Sequence, residues 1–141
     1  MSTEQNKAVI KNVFAALNER DMDGVLAHYK PDCRFYGWAP NTMETLDVAG
    51  NRESMSALLA AFPDSRFPVE NIVAEADRVV VPHSFRGTHQ ADFQGVPATG
   101  KSVNVNAIII FRMENGKVAE SWLSAEYMGL MQQLGVVPFA G

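Results

Sequence analysis

The hydrophobic period of this chain changes once, and that change restricts the fold more than any single residue does. Up to Phe62 apolar side chains recur three and four residues apart, and from Val69 they alternate. Helices come first and strands second. Ser2 and Gln5 form a capping box ahead of the stripe Ile10, Val13, Phe14 and Leu17, which predicts a first helix. Asp21 is placed to cap a shorter second helix carrying Val25, Leu26 and Tyr29, which stops near Pro31 because proline disfavours helix in the residue before it. Residues 33–38, rich in aromatics, read as a strand, and 40–50, without a clear period, as a loop at a pocket rim. Asn51 is expected to cap a third helix with the stripe Met55, Leu58, Leu59 and Phe62, ending before Pro63.

Strands follow at 69–74, 78–89, 101–113 and 117–125. Pro82 has no N–H for a ladder, so its strand must be bulged or at an edge there. A last stripe, Tyr127, Leu130, Met131 and Leu134, followed by Gly135, predicts a short closing helix. The layout is α+β: N-terminal helices packed on a strongly curved antiparallel sheet, forming a cone with an internal pocket. The chain has 141 residues, enough for one substantial core, so one domain over 1–141 is expected.

Composition narrows the partners. Lys and Arg number 12 against 16 Asp and Glu, a net charge of −4, the wrong sign for a nucleic-acid binder. Cys33 is the only cysteine, which rules out a disulfide within the chain or a multi-cysteine metal site and fits a reducing, cytoplasmic setting. The polar N-terminus lacks a signal-peptide core, and no run reaches the ~20 apolar residues a membrane span needs. Three histidines without a clustered ligand pattern predict no metal. The stretch 95–101 ends in Gly100-Lys101-Ser102 but lacks the strand-loop-helix context of a phosphate loop, so nucleotide binding is set aside.

The Glu114-Asn115-Gly116 turn predicts which residues face one another. A three-residue loop sets Met113 opposite Lys117, and then Asn104 faces Glu126, Asn106 faces Ser124, and Ile108 faces Trp122. A two-residue turn shifts the register by one and sends Asn104 and Asn106 to the face away from Glu126. In the first register Glu126 stands at a strand end beside amides and an indole, where partial desolvation raises a carboxyl toward the range of a general base. The alternative is a carboxylate decorating the start of the last helix. His83 and His89 share one strand face with Val79, Val81 and Phe85, and are either proton-transfer groups or satisfied core histidines. Alternation groups Tyr36 with Trp38, as core or as the wall of an apolar site with a polar handle. The opposite face, Val105, Ala107, Ile109 and Phe111 with Leu123 and Ala125, is apolar and needs a cover, which predicts a sheet-to-sheet homodimer.

Four segments taken in order carry a family resemblance: Gly87-Thr88-His89, the run 95–101, Gly116-Lys117-Val118-Ala119-Glu120-Ser121-Trp122, and the run 129–135 ending Gln133-Leu134-Gly135. Together they resemble the SnoaL-like polyketide cyclases, of the nuclear transport factor 2-like superfamily that also holds ketosteroid isomerase. The resemblance implies cofactor-free ring closure, in which a carboxylate removes a C–H proton flanked by carbonyls and the enolate attacks another carbonyl. The family's acid/base is an aspartate four residues after the tryptophan; here that position is Glu126, longer by one methylene. His89, with Asn104, Asn106 or Tyr36, is expected to hydrogen-bond the developing enolate oxygen. Tyr36, Trp38, His83, Asn104, Asn106 and Trp122 form the expected substrate-binding set. Two other readings stay open: another pocket reaction of the superfamily (isomerisation, dehydration or epoxide hydrolysis), and non-catalytic binding of a hydrophobic small molecule.

Overall fold

The computed structural model describes residues 1–38 and 44–138. It contains α1 (Thr3–Asn18), α2 (Met22–Leu26), β1 (Tyr29–Tyr36), α3 (Val48–Ala61), β2 (Val73–Glu75), β3 (Arg78–Thr88), β4 (Ser102–Glu114), β5 (Lys117–Ala125) and α4 (Tyr127–Gln133). The strands form one sheet in the order β1-β5-β4-β3-β2. β2 to β5 pair antiparallel, and β1 lies parallel to β5, so the sheet is mixed.

The helix starts follow local chemistry. Ser2 Oγ accepts from the Gln5 N–H and Gln5 Oε1 accepts from the Ser2 N–H, the reciprocal capping box. Asp21 accepts from the Gly24 N–H at the start of α2. Two expectations change here. The second helix ends at Leu26, and Tyr29 opens β1, buried and stacked on Phe35 with centroids 5.3 Å apart. Pro31, without an N–H, instead falls in the irregular stretch between Tyr29 and Arg34 where β1 loses regular pairing with β5. The third helix is capped by Asp47, whose Oδ1 accepts from Gly50 N–H at 2.8 Å, and Asn51 is a buried residue inside it. Of the predicted 40–50 loop, 40–43 lie outside the described residues.

The far end of α3 is closed from elsewhere. Arg20, at φ 63, directs its guanidinium to the carbonyls of Leu59, Phe62 and Ser65 and to Ser65 Oγ. Leu59 is in the last turn of α3, whose carbonyls lack intrahelical partners, and Phe62 and Ser65 follow that helix, so one side chain ties the end of α1 to the end of α3.

Along the outer side of β3 the expected strand over 69–74 shrinks to the three residues of β2, and 66–70 run beside β3 as isolated bridges. The N–H groups of Ser84 and Arg86 point to that side, toward Pro68 and Arg66, so period-two alternation sends the missing donor of Pro82 there too. The pairing with β4 runs unshifted through Pro82 opposite Ile108. Pro82 therefore takes the edge-like position of the two expected.

The β4–β5 hairpin departs from the expected register in two steps. The turn has two residues, Asn115 at φ 51 and Gly116 at φ 78, with Glu114 opposite Lys117, the left-handed pair that suits a tight hairpin. A bulge follows: Met113 pairs with Val118 and Arg112 with Glu120, leaving Ala119 unopposed. Each step moves the register by one, so the parity returns and Ile108 faces Ser124 while Ile110 faces Trp122. Asn104 and Asn106 do share a face with Glu126, and the Glu126 N–H donates to the Asn106 carbonyl.

That shared face is the outer one. Along β4 the odd residues are buried and the even residues through Ile110 exposed, so Val105, Ala107, Ile109 and Phe111 point inward, toward the helices. Phe111 meets Phe14 of α1 edge-on at 6.4 Å. The apolar face assigned to a partner chain is thus covered by the chain's own helices. Helices of one protomer suffice because α1 lies across β2 and β3 and α3 against β1, spanning the sheet.

Candidate functional site

Between the helices and the inner sheet face lies a cavity of about 840 Å³. β4 and β5 supply Val105, Ala107, Ile109, Phe111 and Leu123; α1 supplies Val13, Phe14 and Leu17; α3 supplies Asn51, Ser54, Met55 and Leu58; and the 89–101 loop supplies Phe93. The volume suits a small organic molecule, and the wall is mostly apolar with few polar groups, the usual make-up of a ligand site. Glu53, Asp92, Gln94, Ser124 and Ala125 line it while exposed to solvent, which marks its mouth. Tyr127 of α4 donates a hydrogen bond to Gln94 Oε1 across that mouth. Among the described residues the wall contains no Lys or Arg.

His83 is the buried titratable base of this wall. Alternation along β3 turns it inward with Val79, Val81 and Phe85, as expected, and it sits opposite Ala107 and edge-on to Phe14 at 5.1 Å. Its Nδ1 lies 3.0 Å from the Val81 carbonyl oxygen. A carbonyl only accepts, so Nδ1 carries the proton and Nε2 carries a lone pair. Among the described residues Nε2 has no hydrogen-bond partner, and His83 lines the cavity. Burial holds the imidazole below its ordinary pKa of 6.5, partly opposed by the Val81 carbonyl and by Glu70.

Asn51, expected from the sequence as a helix cap, belongs to the cavity instead. It is 3% exposed, lines the cavity, and its Nδ2 has no hydrogen-bond partner among the described residues. An asparagine inside a helix, where it competes with the backbone for hydrogen bonds, was the signal available in the sequence.

The remaining expected residues divide. Trp38 lines the cavity, but its indole N–H is already given to Ser121 Oγ at 3.0 Å, and it packs edge-on against Phe35. Tyr36 and Trp122 sit on the outer face, stacked at 5.4 Å, with the Arg78 guanidinium 5.0 Å above the indole. Tyr36 OH donates to Glu120 Oε2, and Arg112 Nε to Glu120 Oε1 at 2.7 Å; both bonds hold the Glu120 carboxyl below its usual range, Arg112 the more strongly. Asn104 and Asn106 are on that same outer face, with Asn104's backbone held by the Gln133 side chain. Neither asparagine is part of the cavity wall, because the inward set of β4 is odd-numbered.

His89 also leaves the cavity. β3 ends at Thr88, whose N–H and hydroxyl both donate to Asp64, and the chain then enters the 89–101 loop. His89 is fully buried beneath that loop, stacked on Phe62 at 5.3 Å, with Nδ1 accepting from Thr99 N–H at 3.2 Å. Glu126 is exposed at the N-cap of α4 without a capping bond; its neighbours Ala125 and Tyr127 line the cavity and it does not. Cys33 is buried with its thiol pushed up to about 12, mainly by that burial, which keeps it protonated. No helix among the described residues is long and apolar enough to cross a membrane.

Solved structures share the fold. AclR, a putative hydroxylase from Streptomyces galilaeus, is 33% identical, with 97% of this chain and 100% of AclR covered and a TM-score of 0.89. IdmH, a putative polyketide cyclase from Streptomyces antibioticus, is 28% identical over 94% of this chain and 99% of its own, with a TM-score of 0.81. TsrD from Streptomyces laurentii is 26% identical over 97% and 99%, with a TM-score of 0.84. No curated protein matches the chain by sequence. The family model for SnoaL-like polyketide cyclase matches residues 7–134. With its α+β cone and with that match spanning most of its length, the chain belongs to the SnoaL-like polyketide cyclase family.

Proposed function

We propose that this protein catalyses cofactor-free ring closure of a small polycarbonyl substrate by proton abstraction and intramolecular aldol addition. The observation that carries the reading is the largely apolar cavity lined by His83, whose Nε2 has no hydrogen-bond partner among the described residues. Aldol closure asks for little more: a base for a C–H flanked by carbonyls, a polar group for the enolate oxygen, and walls that fold the substrate on itself. The Asn51 amide is the wall group best suited to the oxygen. Glu126 holds the position of the family's acid/base and stands beside the mouth rather than in the wall. The test is deuterium incorporation at the acidic carbon of β-keto esters, beginning with ethyl 2-oxocyclohexanecarboxylate, followed by NMR. Acceleration by the protein supports the reading, and its absence across a panel moves the assignment to a binding protein.

Hydroxylation is a second reading, favoured by the 33% identity to AclR. The same carbanion then adds to dioxygen and, once protonated, becomes a hydroperoxide, whose O–O bond is cleaved to the alcohol and water with two electrons and two protons from an external thiol or flavin reductant. Ring closure is an isomerisation and consumes no gas, so oxygen uptake with substrate present separates the two.

The homodimer is proposed through the outer sheet face, not the inner apolar one. Ile108 and Ile110 are 48% and 37% exposed there, beside the stacked Tyr36 and Trp122. Sedimentation as a monomer at micromolar concentration overturns it.

A further inference from the structure

We propose that Nε2 of His83 is the atom that accepts the substrate's C–H proton. The assignment rests on the ring-closure reading above and goes beyond it by naming the base. Three independent observations converge on this nitrogen. The Val81 carbonyl fixes the tautomer, so the free lone pair is on Nε2 and not on Nδ1. Nε2 has no hydrogen-bond partner among the described residues, and His83, only 7% exposed, lines the cavity. The carboxylates available to compete are placed elsewhere: Glu53 and Asp92 are exposed at the mouth, and Glu126 lies outside the wall.

The surroundings keep this base neutral and ready. From α1 the ring meets Phe14, from β4 Ala107, and from the 66–70 segment Val69 pairs with its backbone while Glu70 adds a weak opposing field. No cation faces it from the cavity wall among the described residues. The step balances without a co-reactant. The C–H bond breaks as the Nε2–H bond forms, and the electron pair stays on the enolate. The enolate carbon then bonds to the second carbonyl carbon, and the resulting alkoxide takes the proton back from Nε2. The ring ends neutral, as it began.

The experiment measures deuterium exchange of ethyl 2-oxocyclohexanecarboxylate for wild type, His83→Gln and Glu126→Gln between pH 5 and 8, with each variant's fold checked by its amide NMR spectrum. A positioned general base is worth about 10²–10⁴-fold, so His83→Gln is expected to lose that much and to exceed any loss in Glu126→Gln. The wild-type rate is expected to fall about tenfold per pH unit once His83 protonates, below its ordinary 6.5. Should His83→Gln fail to fold, the imidazole resonances of His83 in wild type are followed instead; they must shift on adding the keto ester and titrate where the rate falls. A folded His83→Gln that retains exchange overturns the assignment, as does a wild-type imidazole insensitive to the ester. If Glu126→Gln abolishes exchange and His83→Gln does not, ring closure stands and His83 falls. If wild type accelerates no exchange of this ester or of the wider β-keto ester panel, both fall together.

Discussion

His83 and His89 are both buried and were expected on one face of one strand, yet they hold opposite tautomers in opposite settings. His83 donates its Nδ1–H to the Val81 carbonyl and lines the cavity, its Nε2 lone pair unbonded among the described residues. His89 accepts at Nδ1 from the Thr99 amide, so its proton is on Nε2, where it is buried without a partner. An unsatisfied buried donor costs about 1–3 kcal/mol, which the stack on Phe62 and the loop contacts must offset. Burial alone therefore does not mark a reactive histidine. What separates the two is which nitrogen the backbone occupies and whether the other one meets space or protein.

The contrast can be broken in order of expected effect. The largest is catalytic: His83→Gln is expected to remove about 10²–10⁴-fold of proton-exchange rate while His89→Ala removes far less per folded molecule. The next is structural and runs the other way. His89→Ala deletes the ring stacked on Phe62 and frees Thr99, so a loss of about 2–4 kcal/mol of unfolding free energy is expected, read in urea melts. A smaller effect is pH-dependent. Because His83's pKa is lowered in the folded protein, its contribution to stability is complete above 6.5 and lost as pH falls through the folded value. His83→Gln should flatten that part of the stability profile. The smallest tests the outer face: Ile110→Lys on an exposed position is expected to change monomer stability by no more than about 0.5 kcal/mol while shifting sedimentation toward monomer.

Much of the fold could be read from local chemistry. The capping box at Ser2 and Gln5, the Asp21 cap and the positive-φ Gly135 after the last helix depend on neighbours three or four residues away, and all were legible. So was the inward turn of His83, because period-two alternation ties it to Val79 and Val81. Parity along β4 and β5 was also legible, but not which parity faces inward. Both faces carry isoleucines, and only the positions of α1 and α3 decide that Ile109 is core while Ile108 and Ile110 meet solvent. The site residues followed that choice. Tyr36, Asn104, Asn106 and Trp122 went outward as a group, and Asn51 was hidden because an asparagine near a helix start looks like a cap until Asp47 is seen to occupy that place.

The unopposed Ala119 acts as a spacer of one residue in a strand whose faces repeat every two. Were it instead taken into the ladder opposite Arg112, with the turn unchanged, everything beyond it would rotate by half a period. Trp122 and Glu120 would then point among the helices, and Ser121 and Leu123 toward water. Trp38 would lose the hydroxyl that holds its indole, and the cavity would receive a charged side chain. A single alanine, making no polar side-chain contact of its own, thus decides which side of β5 the ligand meets.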